Sequence, residues 1–176
     1  CVLPLLAISE DEKPKKETKG AKERAEALAL ISQGKAEEAR ALLRKVIKGN
    51  SEDCEARVLL GRCHQELGDL ESAAKQFKKA VEGSEEKQPE AAGRLAEIYA
   101  ATGRHAEAVK LAEETLKDDA GAMNARIALA TVQMETGKGD DAEKTLAWFE
   151  EYIEKAPTLD GMSYFTLGRG LWMLAL

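Results

Sequence analysis

Cysteine, proline and aromatic residues are scarce in this chain of 176 residues, which holds three cysteines, four prolines, two tryptophans, three tyrosines and three phenylalanines. Three cysteines make no disulfide framework. Cys54 and Cys63 stand nine positions apart on one predicted helix, on opposite sides of it, so they should not bridge. No run reaches 18 apolar residues, so no segment is long and apolar enough to cross a membrane as a helix. The chain has no GxGxxG and no GxxxxGK[ST] phosphate loop. Its two histidines do not pair with cysteines at metal-ligand spacing, which argues against zinc. His64 reads as a core histidine, and His105, at a turn, as a packed or solvated one. The acid pairs Glu37-Glu38 and Asp118-Asp119 read as solvated faces or caps, not acid/base dyads. Nothing supplies a nucleophile with its orienting group and oxyanion hole. The expectation is no catalytic residue, no metal, no cofactor and no enzymatic activity within these residues.

Positive charge is also in deficit. Lysine and arginine number 26 against 32 acids, for a net charge of −6. An acidic surface repels phosphate backbones, so nucleic acid is a poor partner. What is abundant is Ala, Glu, Lys, Leu and Arg, residues that favour helix.

The most informative pattern is a glycine ladder. Gly34, Gly68, Gly103 and Gly137 recur at spacings of 34, 35 and 34, and each is followed five residues later by alanine: Ala39, Ala73, Ala108 and Ala142. A period in the thirties is the mark of a stacked-repeat architecture. In the second unit, Val58, Leu60, Gly61 and His64 form one helical stripe, and Ala73, Phe77, Ala80 and Val81 another. Gly68 between them lets the chain reverse, and Asp69 can cap the second helix. Gly61 and Ala73 are small where two helices must approach. Asn50 with Asp53, and Asp119 before Ala120, read as N-caps, and Pro89 as a first helical residue. Pro157 ends a lengthened fourth unit.

These stripes resemble the tetratricopeptide repeat family. Unit two matches through Leu60-Gly61, His64, Ala73, Phe77 and Ala80, and unit three through Leu95-Ala96, Tyr99 and Ala108, with Ala112 and Thr115 where Phe and Ala are usual. Unit four matches through Leu129-Ala130, Ala142, Leu146 and Phe149, while unit one is weaker and fits at Ala27, Leu30, Ala39, Leu43 and Val46. Tyr164, Leu167-Gly168 and Leu171 begin a fifth unit. The resemblance implies an all-α fold, a right-handed superhelical solenoid of antiparallel helix pairs with about four and a half repeats. The units run over 20–53, 54–88, 89–122, 123–160 and, incompletely, 161–176.

The family binds peptides or proteins on a concave face lined mainly by first helices. Carried over by position, the resemblance implies a groove of Arg24, Leu28, Val58, Leu59, Arg62, Gln65, Glu66, Arg94, Glu97, Ile127, Thr131, Met134, Phe165 and Arg169. Arg62, Arg94 and Arg169 could grip a carboxylate, or else pair with Glu66 or Glu97 as ordinary surface arginines. The carboxylate clamp used by some members would fall on Arg24, Leu28, Leu59, Glu90 and Arg94, of which only Arg94 suits it. The late aromatics Trp148, Phe149, Tyr152, Tyr164, Phe165 and Trp172 suggest core packing of the fourth unit, or an interface.

At the ends, residues 1–9 read as a signal-peptide remnant or as an apolar fragment boundary, leaving an exported or a cytoplasmic protein open. Residues 10–20 are nearly all charged and read as a disordered linker before a repeat domain over 21–176. The ending GLWMLAL lacks a covering helix, so the expectation is a longer natural protein or self-association through this end. The leading function is an interaction scaffold for a protein or peptide partner. The alternative is an accessory segment of a larger exported enzyme with its catalytic domain beyond Leu176. RNA binding is the third reading, disfavoured by the charge.

Overall fold

The computed structural model describes residues 20–137 and, beyond them, residues 144, 145, 147, 148, 151, 152 and 154. The lengthened end of the fourth unit, the fifth unit, Pro157 and both terminal readings lie outside the described residues. Over residues 20–137 seven helices follow one another: α1 (Ala21–Ser32), α2 (Ala36–Gly49), α3 (Cys54–Glu66), α4 (Leu70–Gly83), α5 (Pro89–Ala101), α6 (His105–Asp118) and α7 (Met123–Glu135). They form an all-α solenoid of antiparallel pairs, α1 with α2, α3 with α4 and α5 with α6, and α7 stacks on the third pair.

Of the ladder glycines, Gly34, Gly68 and Gly103 turn the chain inside the three pairs, and Gly137 follows α7. Gly34, Gly68, Gly103 and Gly137 have φ of 73°, 77°, 75° and 72°, in the left-handed region where a side chain is strained. The amide of Gly34 donates to Ile31 O at 2.9 Å and that of Lys35 to Leu30 O at 2.9 Å. Gly68/Asp69 and Gly103/Arg104 repeat this two-bond closure, so the last helical carbonyls are satisfied before the chain reverses.

Helix starts are capped as the residues suggest in α3 and α4. Asp53 accepts from Ala56 N at 2.9 Å and Asp69 from Ser72 N at 3.0 Å. Pro89 opens α5. Asn50 and Asp119 do not cap helix starts; they end α2 and α6. Each carboxamide or carboxylate oxygen turns instead to an amide two residues on, Glu52 N at 3.2 Å and Gly121 N at 2.9 Å. An Asx turn within the linker wins because the next helix begins too far along to be reached.

Three of the four apolar clusters among the described residues stack along the solenoid, each made by one pair and the first helix of the next unit. Ala27, Ile31, Ala39 and Leu43 meet Ala56, Leu60 and Cys63; Val58, Ala73, Phe77 and Ala80 meet Ala91, Leu95 and Ile98. Ala96, Ala100, Ala108 and Ala112 meet Ala122, Ala125, Ala128 and Val132. Cys54 and Cys63 are free thiols.

The first helices are not evenly spaced. A Cβ on Gly93 would lie 3.1 Å from both Ala125 N and Asn124 Cβ, so glycine there allows α7 to close on α5. The backbones of α3 and α5 stay further apart. The linker between those units, 84–88, is one residue longer than 50–53 or 119–122.

Candidate functional site

The separation of first helices leaves a cleft of about 410 Å³ between α1 and α3, closed at one end by the start of α5. Its apolar floor is Ala21, Ala25, Leu28, Val58 and Leu59; Arg24, Glu55, Arg62, Gln88 and Glu90 form a charged and polar rim. Leu28 is 45% exposed, the most exposed of the large hydrophobic side chains among the described residues, ahead of Leu67 and Leu70.

Five expected groove residues, Arg24, Leu28, Val58, Leu59 and Arg62, line this cleft together. Val58 is 7% exposed and also belongs to the core beneath. Gln65 near the end of α3, Arg94 and Glu97 on α5 and Met134 on α7 are half-buried, and Glu66 is exposed. Ile127 and Thr131 are buried, Ile127 against Ala130, Met123 and Trp148, so they do not face a groove. Phe165 and Arg169 lie outside the described residues.

The arginines are arranged differently from the expectation that Glu66 or Glu97 would hold them. Arg94 Nε donates to Glu90 Oε1 at 3.0 Å and its Nη1 to Gln65 Oε1 at 3.4 Å; Arg62 Nη1 stands 3.9 Å from the same Glu90 oxygen. Glu90 wins because it lies one turn before Arg94 on α5 and leans across to α3. Glu97 accepts from Asn124 Nδ2 at 2.9 Å, tying α5 to α7. Arg24 donates to Asp53 Oδ2 at 2.6 Å and pairs with Glu55 at 2.8 Å, which ties α1 to α3. The rim is therefore a ladder of cross-unit pairs, with Arg62 the most loosely held of these three guanidiniums.

Ala21 and Ala25 were within reach of helical spacing, since they share a face with Leu28. So was Glu55, which stands three, four and seven positions before Val58, Leu59 and Arg62 on α3; only Gln88 carries no such signal, since the linker before α5 brings it to the cleft.

Cys63 and His64, adjacent in the chain, form no reactive pair. Burial, with Glu66 nearby, pushes the Cys63 thiol up to about 11, so it stays protonated within the first cluster at neutral pH. His64 is buried, and its Nδ1 lies 3.3 Å from Asp69 Oδ2 without the alignment of a hydrogen bond. Burial lowers its pKa; Asp69 opposes that, while Arg40 and Arg44 of α2 reinforce it. No group of three or more acidic, histidine or cysteine side chains that could hold a metal occurs among the described residues. No helix among them is long and apolar enough to cross a membrane.

Residues 12–127 match the family model described as "Tetratricopeptide repeat protein 21 C-terminal ARM domain". No curated protein matches the sequence. Among solved structures, a tetratricopeptide repeat protein from Parabacteroides merdae ATCC 43184 is similar, with a TM-score of 0.69 at 16% identity over 93% of this chain; this chain spans 62% of its length. MamA aligns with a TM-score of 0.60 at 19% identity, covering 83% of this chain and 82% of its own. YrrB, described as a TPR protein with an unusual peptide-binding site, aligns with a TM-score of 0.61 at 17% identity, covering 90% of this chain and 78% of its own. At such identities these structures speak for the fold.

Proposed function

From the premise that this chain belongs to the tetratricopeptide-like repeat family, we propose that it is a non-enzymatic scaffold holding an extended segment of a partner protein in the α1/α3 cleft. The observation that carries this reading is the cleft itself. It is an open apolar trough of about 410 Å³ with the exposed Leu28 on its wall and charged groups at its edge. A trough of that kind suits one or two apolar side chains of a peptide, with polar rim groups fixing its direction. Arg62 offers the peptide an acidic contact, because its pairing with Glu90 at 3.9 Å is loose and a carboxylate could be held bidentately. The peptide-binding site ascribed to YrrB is consistent with this use of the fold. No feature of the described residues favours the accessory-enzyme reading.

The test is selection of peptides from a random display library on the intact chain, followed by affinity measurement against Leu28→Asp and Leu59→Glu. Selected peptides carrying an apolar residue next to an acid, with affinity at least about tenfold weaker for both variants, are the expected result. Peptides that bind the variants as well as the parent would place the binding surface elsewhere.

A further inference from the structure

Two of the repeat units carry the same internal clasp, and the unit between them lacks it. The arginine at the fourth position of α3, Arg57, donates through Nε and Nη2 to Ser51 O at 3.1 and 2.6 Å, and its Nη1 lies 3.4 Å from Gln76 Oε1 of α4. At the fourth position of α7, Arg126 donates through Nε and Nη2 to Ala120 O at 3.3 and 3.0 Å, and its guanidinium carbon sits 3.8 Å from the centre of the Trp148 ring. In both, a guanidinium fills the angle between the linker that enters the unit and a side chain from later in the unit, Gln76 or Trp148.

The fourth position of α5 is Ala92. The carbonyl equivalent to Ser51 and Ala120 belongs to Glu86, and it accepts no hydrogen bond among the described residues. The residue equivalent to Gln76 is Leu111 of α6. Glu86, Ala92 and Leu111 all line one cavity of about 230 Å³. The space that arginine occupies in the neighbouring units is thus open in this one. Its walls also carry Glu85, Glu114 and Asp118, so four carboxylates stand against one ammonium, that of Lys87, which pairs with Asp118 at the exposed edge. The surrounding charge is that of a site for a cation.

We propose that this cavity is a seat for a guanidinium supplied in trans, an arginine side chain of a partner protein. The inserted group would donate toward the Glu86 carbonyl as Arg57 and Arg126 do toward theirs, with Glu114 and Glu85 balancing its charge and Leu111 under its plane. Guanidinium fits better than ammonium, because the clasp in the flanking units uses two nitrogens of one planar fork. The cavity shares only Gln88 with the α1/α3 cleft, so it is a separate contact surface.

The probe is N-acetyl-arginine methylamide, titrated into the isotopically labelled intact chain and followed by amide NMR shifts. Saturable shifts at Glu86, Ala92, Leu111 and Thr115 are expected, with a midpoint on the order of millimolar for so small a ligand. The citrulline counterpart, isosteric and uncharged, should give none, and the lysine counterpart should be several-fold weaker. Ala92→Arg fills the seat from within and should abolish the shifts, its fold checked by circular dichroism. Glu114→Gln, on an exposed face of α6, should weaken the arginine probe several-fold and keeps the test valid if Ala92→Arg does not fold. Absence of saturable shifts around Ala92, equal shifts with citrulline or lysine, or undiminished binding to a folded Ala92→Arg would overturn the proposal.

Discussion

The ring of Phe77 lies directly over Gly61: a Cβ built on Gly61 would meet ring carbons at 2.6, 2.8 and 2.9 Å. Both residues are buried, Phe77 completely. The equivalent positions hold Ala27 with Leu43 in the first unit and Ala96 with Ala112 in the third, and each pair lies in its own unit's cluster. One site in the repeat is thus filled by trading volume between the two helices, a large side chain over glycine or two small ones together.

This trade predicts non-additive mutants. Gly61→Ala alone should cost about 1–3 kcal/mol by overpacking, and Phe77→Ala about 3–5 kcal/mol by leaving a cavity. The Gly61→Ala/Phe77→Ala double variant copies the third unit's pair and should lose less than the sum of the single variants. Denaturant unfolding of all four proteins measures the coupling; strict additivity would show that the two positions do not share their space.

Gly103 has φ of 75° with nothing within 4 Å of an added Cβ, so its replacement isolates backbone strain from packing. Gly103→Ala should cost about 1–2 kcal/mol. Gly49→Ala, also in open space but at a helical position with no positive φ, should be neutral or gain up to about 1 kcal/mol. Thermal melts of the two variants should move in opposite directions or differ clearly in size.

Asp53 does two jobs, capping α3 through Ala56 N and accepting from Arg24 across the unit boundary. Asp53→Ala should cost about 2 kcal/mol or somewhat more, a cap plus the partner of a half-buried arginine. Asp53→Asn retains a cap oxygen and should cost less. If chemical denaturation shows the two equally damaging, the cap contributes little and the charge pairing dominates.

His64 makes stability depend on pH. Its pKa is below 6.5 in the fold and near 6.5 in the unfolded chain, so below that pH the unfolded chain takes up a proton that the fold resists. Stability should therefore decline as pH falls from about 6.5 toward the lowered folded value, and should show no slope from this residue above about pH 7.5. His64→Phe should flatten the drop between pH 7.5 and 5.5; an unchanged drop would assign it to other groups.

Local rules made much of the fold legible. The turn at Gly68, the cap from Asp69, the start at Pro89 and the paired stripes around Gly61 and Phe77 each depend on residues a few positions apart, whose geometry a helix sets by itself. The candidate groove was legible only in part. Leu28, Leu59 and Arg62 meet in one cleft, but Ile127 and Thr131 sit on the same class of helix and are buried, Ile127 against Met123, Ala130 and the distant Trp148. Glu90 lies at i,i+4 spacing from Arg94, a local relation; its approach to Arg62 was hidden, since that depends on how far α5 leans toward α3.

By itself, then, the sequence determined the period, the pairing of helices and the residues that must turn the chain, since glycine at positive φ and apolar spacing act over single turns. Only the tertiary structure decided which first-helix side chains stay accessible, that Arg62 reaches toward Glu90 and Arg24 pairs with Asp53, and that the place of an arginine beside Ala92 stands open. Those outcomes rest on distances between residues some thirty positions apart, where one glycine at 93 and one extra linker residue before α5 change the spacing of whole helices.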